Sequence, residues 1–286
     1  MNFLLKKQVI YLSFLFQFTP LVAVEERLRL ESADILENKL IENESVKFIS
    51  KNVVFRKGSL ILYCDEGRHY ENKGLAILYQ NVNAVQNDQR LTCDTIKFFS
   101  KENKLLSIGN AKAWDNNYDL TADSLIVFTE KDSGVAIGNV KLVQKGQIIN
   151  ADRIEYQKDK TYDGISYTAV GNVAISDSSR IAYCGLARYA RQEETTLLEM
   201  DPKIKDDDRI LSGEKIKLTY HQEELKNLFI PKNAKAITPV TGFKKPPIDS
   251  ISYLNEMYFE DRLEGSELLS SFFNGSIKSI LISGMA

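Results

Sequence analysis

Four aspartates recur along this 286-residue chain at intervals of 29 residues: Asp65, Asp94, Asp123 and Asp152. Carboxylates brought into line by such a spacing can hold Ca²⁺, which takes oxygen ligands from several acidic groups at once. The same row also reads as turn chemistry, since a short polar side chain at a bend accepts backbone N–H groups there. Glycine-rich calcium nonapeptides are absent, and later copies place Gly185 and Glu214 where the Asp would fall, which favours the bend.

Other reactive groups are sparse. His69 and His221 are the only histidines and occupy different places in the repeat. His69 falls in an inward row and is expected to be a core residue with its hydrogen bonds satisfied. His221 lies in the turn T-Y-H-Q-E-E and is expected in water. Cys64, Cys93 and Cys184 share the place just before the Asp, where other copies carry Ala122, Ala151 and Gly213. In such a small-residue slot a free Cys acts as a small buried hydrophobe. The alternative is a Cys64–Cys93 bridge, which an oxidising compartment allows if the Cα atoms come within about 7 Å. Asp206, Asp207 and Asp208 read as a solvated charged bend, and Trp114 as an exposed or edge residue. There is no cysteine pair at zinc spacing, no phosphate-binding glycine loop and no G-x-S-x-G elbow. The sequence therefore names no catalytic residue, no metal and no cofactor.

The elements that carry these residues follow from the repeat itself. Asn52, Asn81, Asn110 and Asn139 keep the same interval of 29, and Asn172, Asp201 and Asn233 continue it more loosely. A fixed period of 20–50 residues marks an array of stacked supersecondary units. Within each unit the apolar residues alternate. Two places after the Asp stand Ile96, Leu125, Ile154 and Ile216; four places after stand Phe98, Val127, Tyr156 and Leu218. Period-two alternation between turns such as Asp115 to Asn117 and Thr129 to Gly134 predicts strands throughout, hence an all-β stack. The Asn row, often preceded by Gly (Gly109, Gly138, Gly171), predicts tight turns with positive φ. One unit cannot bury its apolar face alone; stacking contributes roughly 1.5–3 kcal/mol per fully buried side chain. Small residues at Gly67, Ala84, Ala111 and Ala113 leave open whether the interior is packed or forms a groove.

The ends differ in kind. Residues 1–23 read as a secretory signal, with Lys6 and Lys7 before the apolar run Val9 to Phe18 and a cut after Ala23. A retained N-terminal anchor is the alternative, and in either case the chain is exported. A net charge of −2 and a pI near 5.9 advertise no nucleic-acid surface. The β-repeat occupies residues 24–237, and residues 238–286 continue it with two insertions. The first is Pro-rich, from Thr238 to Pro247, after which Asn255, Met257 and Phe259 resume the strand pattern. The second, Glu264 to Gly275, contains the apolar run Leu268 to Phe273, expected as a helical turn or an edge-covering loop. The final L-I-S-G-M-A resembles L-S-I-G-N-A at Leu106 to Ala111, so the repeat is expected to be incomplete there, with both edges of the stack uncapped.

The pattern G-N-V-x-L-x-x-x-G-x-x-x-x-A-D-x-I-x-Y at Gly138 to Tyr156 resembles the OstA-like family, and the resemblance covers residues 28–237. That family comprises the periplasmic lipopolysaccharide-transport proteins LptA and LptC and the N-terminal domain of LptD. The resemblance implies an open β-jellyroll of two facing sheets, a β-taco, whose apolar interior takes the acyl chains of lipid A. It implies modules joined head to tail at strand edges, and no catalytic residue. The expectation is a non-enzymatic periplasmic carrier of lipopolysaccharide or a similar glycolipid, lined by Ile96, Phe98, Leu125, Val127, Ile154 and Tyr156. Two other classes remain: a structural or adhesive β-solenoid without lipid, and a polysaccharide-acting β-helix enzyme. The enzyme would need clustered Asp, Lys or Arg on an outer face near one rung, and the sequence offers no such cluster.

Overall fold

The computed structural model describes residues 27–284 apart from 145, 159–164, 178, 207–208, 223, 240–259 and 274–275. Short strands β1 (Arg29–Ser32) and β2 (Ile35–Ile41) lead into a run of long ones. These are β3 (Glu44–Lys57), β4 (Leu60–Tyr70), β5 (Leu75–Gln86), β6 (Gln89–Phe99), β7 (Lys104–Trp114), β8 (Tyr118–Phe128), β9 (Ser133–Gln144), β10 (Gln147–Lys158), β11 (Ile165–Ser176) and β12 (Arg180–Ala190). Shorter strands follow: β13 (Thr195–Glu199), β14 (Lys203–Asp206), β15 (Arg209–Ser212), β16 (Lys215–His221), β17 (Glu224–Ile230), β18 (Ala234–Pro239), β19 (Glu260–Gly265), β20 (Glu267–Phe273) and β21 (Ser276–Ser283).

From β3 to β12 each strand pairs antiparallel with the next, so two strands make one 29-residue unit. Every long strand breaks register once near its middle. On odd-numbered strands the break holds two consecutive residues at positive φ, as in Lys51 and Asn52, Gly109 and Asn110, or Gly138 and Asn139. On even-numbered strands it is a bulge at the Asp, for example between Thr121 and Ser124 where β8 pairs with β9. A bulge bends its strand and strengthens the local twist. Aligned over successive strands, these breaks fold the sheet along a seam into two facing leaves. One leaf holds the stretch of β3 from Val53 to Lys57 and its partners; the other holds Glu44 to Ser50 and its partners. Beyond β12 the two leaves are built from separate short strands. β14, β15, β18 and β19 extend the first, and β13, β16, β17, β20 and β21 extend the second.

The sequence suggested that the seam Asp side chains accept backbone N–H groups, but among the described residues they take no such bond. They accept the side-chain amide of the Asn on the next odd-numbered strand: Asn81 to Asp65, Asn110 to Asp94 and Asn139 to Asp123, with Asn233 to Glu214 near the far end. The seam is thus an exposed ladder of amide–carboxylate pairs. Among the described residues no three His, Cys, Asp or Glu side chains gather as a metal site would require. The three cysteines are free and buried.

The tail departs from expectation in one respect. Leu268 to Phe273 lies within strand β20, paired with β17 and β21, because its alternate residues Leu268, Ser270 and Phe272 continue the inward face of the second leaf. Asn255, Met257 and Phe259 lie outside the described residues, as do residues 1–23.

Candidate functional site

The space between the leaves is the one place where the repeat gathers its inward side chains. Next to the seam on the second leaf, register pairs link Ile49, Gly67, Leu78, Ile96, Ser107, Leu125, Ala136, Ile154 and Ala169 into one row. Large and small residues alternate through much of it, so each bulky side chain sits beside a shallow slot. Ile96, Leu125 and Ile154 are all fully buried there. Ser107 is tolerated because its hydroxyl donates to the Leu125 carbonyl at 3.3 Å and accepts from the Leu125 N–H at 3.1 Å. A buried hydroxyl without such partners would be costly.

One pleat further from the seam, a second row runs through His69, Ala76, Phe98, Leu105, Val127, Gly134, Tyr156 and Tyr167. Phe98 is fully buried, whereas Val127 and Tyr156 are half-buried and pack on the core. Gly134 makes the bay in which Tyr156 lies: a Cβ on Gly134 would stand 2.5 Å from the Tyr156 hydroxyl oxygen and 2.6 Å from the Ile126 carbonyl oxygen. The opposite leaf answers with Phe55, Leu62, Ala84, Leu91, Ala113, Leu120, Leu142 and Ile149, also one continuous register row. All eight are buried.

The six residues expected on the wall therefore divide. Ile96, Phe98, Leu125 and Ile154 lie in the packed interior; Val127 and Tyr156 face a cleft at the mouth between the leaves. That cleft has a volume of about 80 Å³, with Leu105, Val127 and Tyr156 on one side and Leu60, Ala84, Leu91 and Ala113 on the other. Its rim carries the amides Gln86, Gln89, Asn117 and Gln144. Deeper in, a void of about 10 Å³ lies among Tyr118, Leu120, Leu142, Ile154, Tyr156 and Ile165. That is about the space of one water molecule. As it stands, the interior is filled rather than hollow.

Sequence reasoning missed the contacts that close the mouth, because they join residues far apart in the repeat. Lys57, at the end of β3 on the first leaf, reaches the β6–β7 turn on the second leaf. There its ammonium donates to the Ser100 carbonyl at 3.1 Å and to Asn103 Oδ1, with the Phe98 ring centroid 5.9 Å away. Tyr118 on the first leaf and Tyr156 on the second both line the cleft. Burial pushes both phenols above their ordinary value, Tyr156 to about 12. Further along, the Arg180 guanidinium of the first leaf sits 5.1 Å from the Phe272 ring of the second.

His69 is buried as expected but is not satisfied: its Nδ1 has no hydrogen-bond partner, and the ring packs edge-on against Phe55. Burial lowers its pKa, so the neutral ring is favoured. His221 is exposed. Trp114 is half-buried, with the Lys112 ammonium 5.4 Å from its ring. Burial raises the thiols of Cys64 and Cys93 to about 12 and of Cys184 to about 11.

Residues 119–224 match the model of the LptA/(LptD N-terminal domain) LPS transport protein family, and residues 25–99 match that of the OstA-like protein family. No curated protein matches the chain. Among solved structures it is similar to LptH from Pseudomonas aeruginosa, described as the LptA homologous periplasmic component of the conserved lipopolysaccharide transport device. The two are 19% identical, with a TM-score of 0.35, over 38% of this chain and 79% of LptH. Both family models fall on the repeat and its seam motif, so it is to the OstA-like and LptA/(LptD N-terminal domain) families that this chain is similar.

Proposed function

We propose that this chain carries lipopolysaccharide, or a similar acylated glycolipid, through the periplasm without altering it covalently. Acyl chains lie between the two leaves, entering by the mouth at Val127 and Tyr156 and displacing side chains around Ile96, Phe98, Leu125 and Ile154. The observation that carries this reading is the continuity of the inward rows. They form two facing apolar walls from β3 through β12 with no charged side chain among the rows' buried members. An acyl chain requires only such a wall, so the role needs no catalytic group, metal or cofactor. The similarity to the two family models supplies the ligand class. Residues 1–23 would be the export signal, and residues 24–286 a single elongated body.

The same reading places related β-modules at the strand edges. Among the described residues β2 pairs only with β3, and its Leu36 and Leu40 stand 55% and 74% exposed. At the other end β21 pairs only with β20, and Leu281 is 64% exposed. An unpaired edge with apolar side chains templates pairing with another chain. Head-to-tail docking on a second module of this family would cover both ends.

The filled interior favours a second reading, a structural β-solenoid without cargo. Photocrosslinking residues separate the two. Placed at Phe98, Val127 and Tyr156 in the purified mature protein, they should capture added lipopolysaccharide, while Arg153 and Glu155 on the outer face should not. Equal capture at outer positions, or none at inner ones, would leave the solenoid reading standing.

A further inference from the structure

We propose that Lys57 is a latch across the mouth that an anionic head group releases, so that a phosphate monoester on the ligand opens the apolar interior beside Phe98. This rests on the carrier reading above and adds to it the charged group that the mouth recognises.

Lys57 is unusual among the lysines of the described residues. Many others pair with a carboxylate, as Lys47 does with Glu71 at 2.7 Å or Lys104 with Glu102 at 2.8 Å. Lys57 is half-buried, and its three partners are neutral: the Ser100 carbonyl, the Asn103 side-chain oxygen and the Phe98 ring. No carboxylate among the described residues forms an ion pair with it. Neutral acceptors replace part of the ammonium's hydration, but they do not supply the countercharge that makes such hydrogen bonds strong. A phosphate oxygen would, and it would compete directly with Ser100 and Asn103 for the same N–H groups.

The position of the contact turns that competition into a movement. Lys57 ends β3 on the first leaf, whereas Ser100 and Asn103 frame the β6–β7 turn on the second. Register places Lys57 opposite Leu60, which lines the mouth cleft, and Leu105 on the second leaf lines the same cleft. Drawing the ammonium toward an incoming anion removes the tie between the leaves at the point where Phe98 is covered. Acyl chains attached to that anion are then beside the newly uncovered wall. A free phosphate would release the tie but bring nothing to hold it open.

The test uses the purified mature chain with a photocrosslinker at Val127. One probe is phosphatidic acid in nonionic detergent, and the other is the diacylglycerol with the same acyl chains. The native Lys57 protein should capture phosphatidic acid several-fold more efficiently. Lys57→Met, which keeps the apolar stem, should abolish that preference, and Lys57→Arg should retain it. Spin labels on Ser59 and Glu102, one on each lip, should move apart with phosphatidic acid and only transiently or weakly with inorganic phosphate. Equal capture of the two probes by the native protein, or a preference unchanged in Lys57→Met, would overturn the latch while leaving the carrier reading intact. Capture of neither probe at Val127, Phe98 or Tyr156 would overturn both.

Discussion

The side-chain amide of Asn139 donates to both carboxylate oxygens of Asp123, at 3.2 and 3.0 Å, where β8 and β9 cross from one leaf to the other. Asn139 has φ of 47° and Gly138 before it 78°, so two successive residues hold left-handed backbone. The Asp123 carboxylate covers Gly138, and a Cβ there would lie 2.2 Å from Oδ2. One motif therefore makes the bend and keeps a seam carboxylate in place, and in this copy the glycine leaves room for that carboxylate, whereas Lys51 and Gln80 hold the same place in earlier copies at φ of 64° and 61°.

This relationship ranks two substitutions. Gly138→Ala combines backbone strain with a clash against Asp123, and should lower the unfolding free energy by about 1–3 kcal/mol. Asn139→Ala keeps the space but loses the exposed amide contact and a residue suited to positive φ, and should cost about 1 kcal/mol. Urea unfolding followed by far-ultraviolet circular dichroism measures both. A larger loss in Asn139→Ala would mean that the pair, rather than the backbone, holds the bend.

The inner rows give a second ranking. Ile154 is fully buried between Ala136 and Ala169, and Ile154→Ala should cost about 2–5 kcal/mol. Ile154→Glu would bury an unpaired charge and should fail to fold. Val127 lines the mouth and is half-buried, so Val127→Glu should fold yet lose lipid capture. Thermal unfolding and photocrosslinking at Phe98, read on the same samples, check the pair of outcomes. A well-folded Val127→Glu that still captures lipid would remove Val127 from the entry path.

Much of this was legible in the sequence, because the period of 29 fixes which residues share a row before any coordinates exist. The fully buried places of Ile96, Leu125 and Ile154 follow from their spacing after the Asp. What the spacing could not convey is which face carries bulk on the odd-numbered strands. In β9, Ala136 points inward and Ile137 is 37% exposed, and in β7 Ser107 is buried while Ile108 is 40% exposed. Small inward residues there make room for Leu125 and Ile154 on the neighbouring strands, so local hydrophobicity points to the wrong face. The seam partner of each Asp was equally hidden, since an amide sixteen to twenty residues onward is no local turn signal. The ties across the mouth depend on how the two leaves close. Nothing in the repeat pairs Lys57 with Ser100 and Asn103.

The cysteines yield a third outcome. Burial raises Cys64 and Cys93 to about 12 and Cys184 to about 11, so near pH 8 the native thiols are almost wholly protonated. The thiolate is the reacting form. A chromogenic disulfide reagent at about pH 8 should therefore label none of the three quickly in the folded protein and all three in urea. Fast labelling of any thiol without denaturant would show that its slot at the seam opens readily. The same shifts carry a sign for stability: folded thiols bind their protons more tightly than unfolded ones, so this contribution is present below the unfolded pKa and lost as pH rises above it.

The last expectation concerns His69, whose burial beside Phe55 depresses its pKa below the ordinary 6.5. Burial is the main cause; the nearby Glu71 opposes it, and Lys47, which pairs with Glu71, adds to it. In the unfolded chain the imidazole takes up a proton as pH falls through about 6.5. In the folded chain it resists until lower pH, so the unfolded state binds more protons in that window and stability falls with falling pH. The effect is absent above the unfolded pKa, where both states are neutral. His69→Leu keeps an apolar side chain in the inward row and removes the titrating group together with the unpartnered Nδ1. Between about pH 7.5 and 5.5, the urea midpoint of the native protein should fall distinctly more than that of His69→Leu. The carboxylates held low by their partners, Glu71 and Glu199 among them, titrate below this range and affect both proteins at lower pH. An equal fall in the two midpoints would mean that the imidazole reaches water or a partner as it protonates, and that the row between Lys47 and Ala76 opens more easily than its packing suggests.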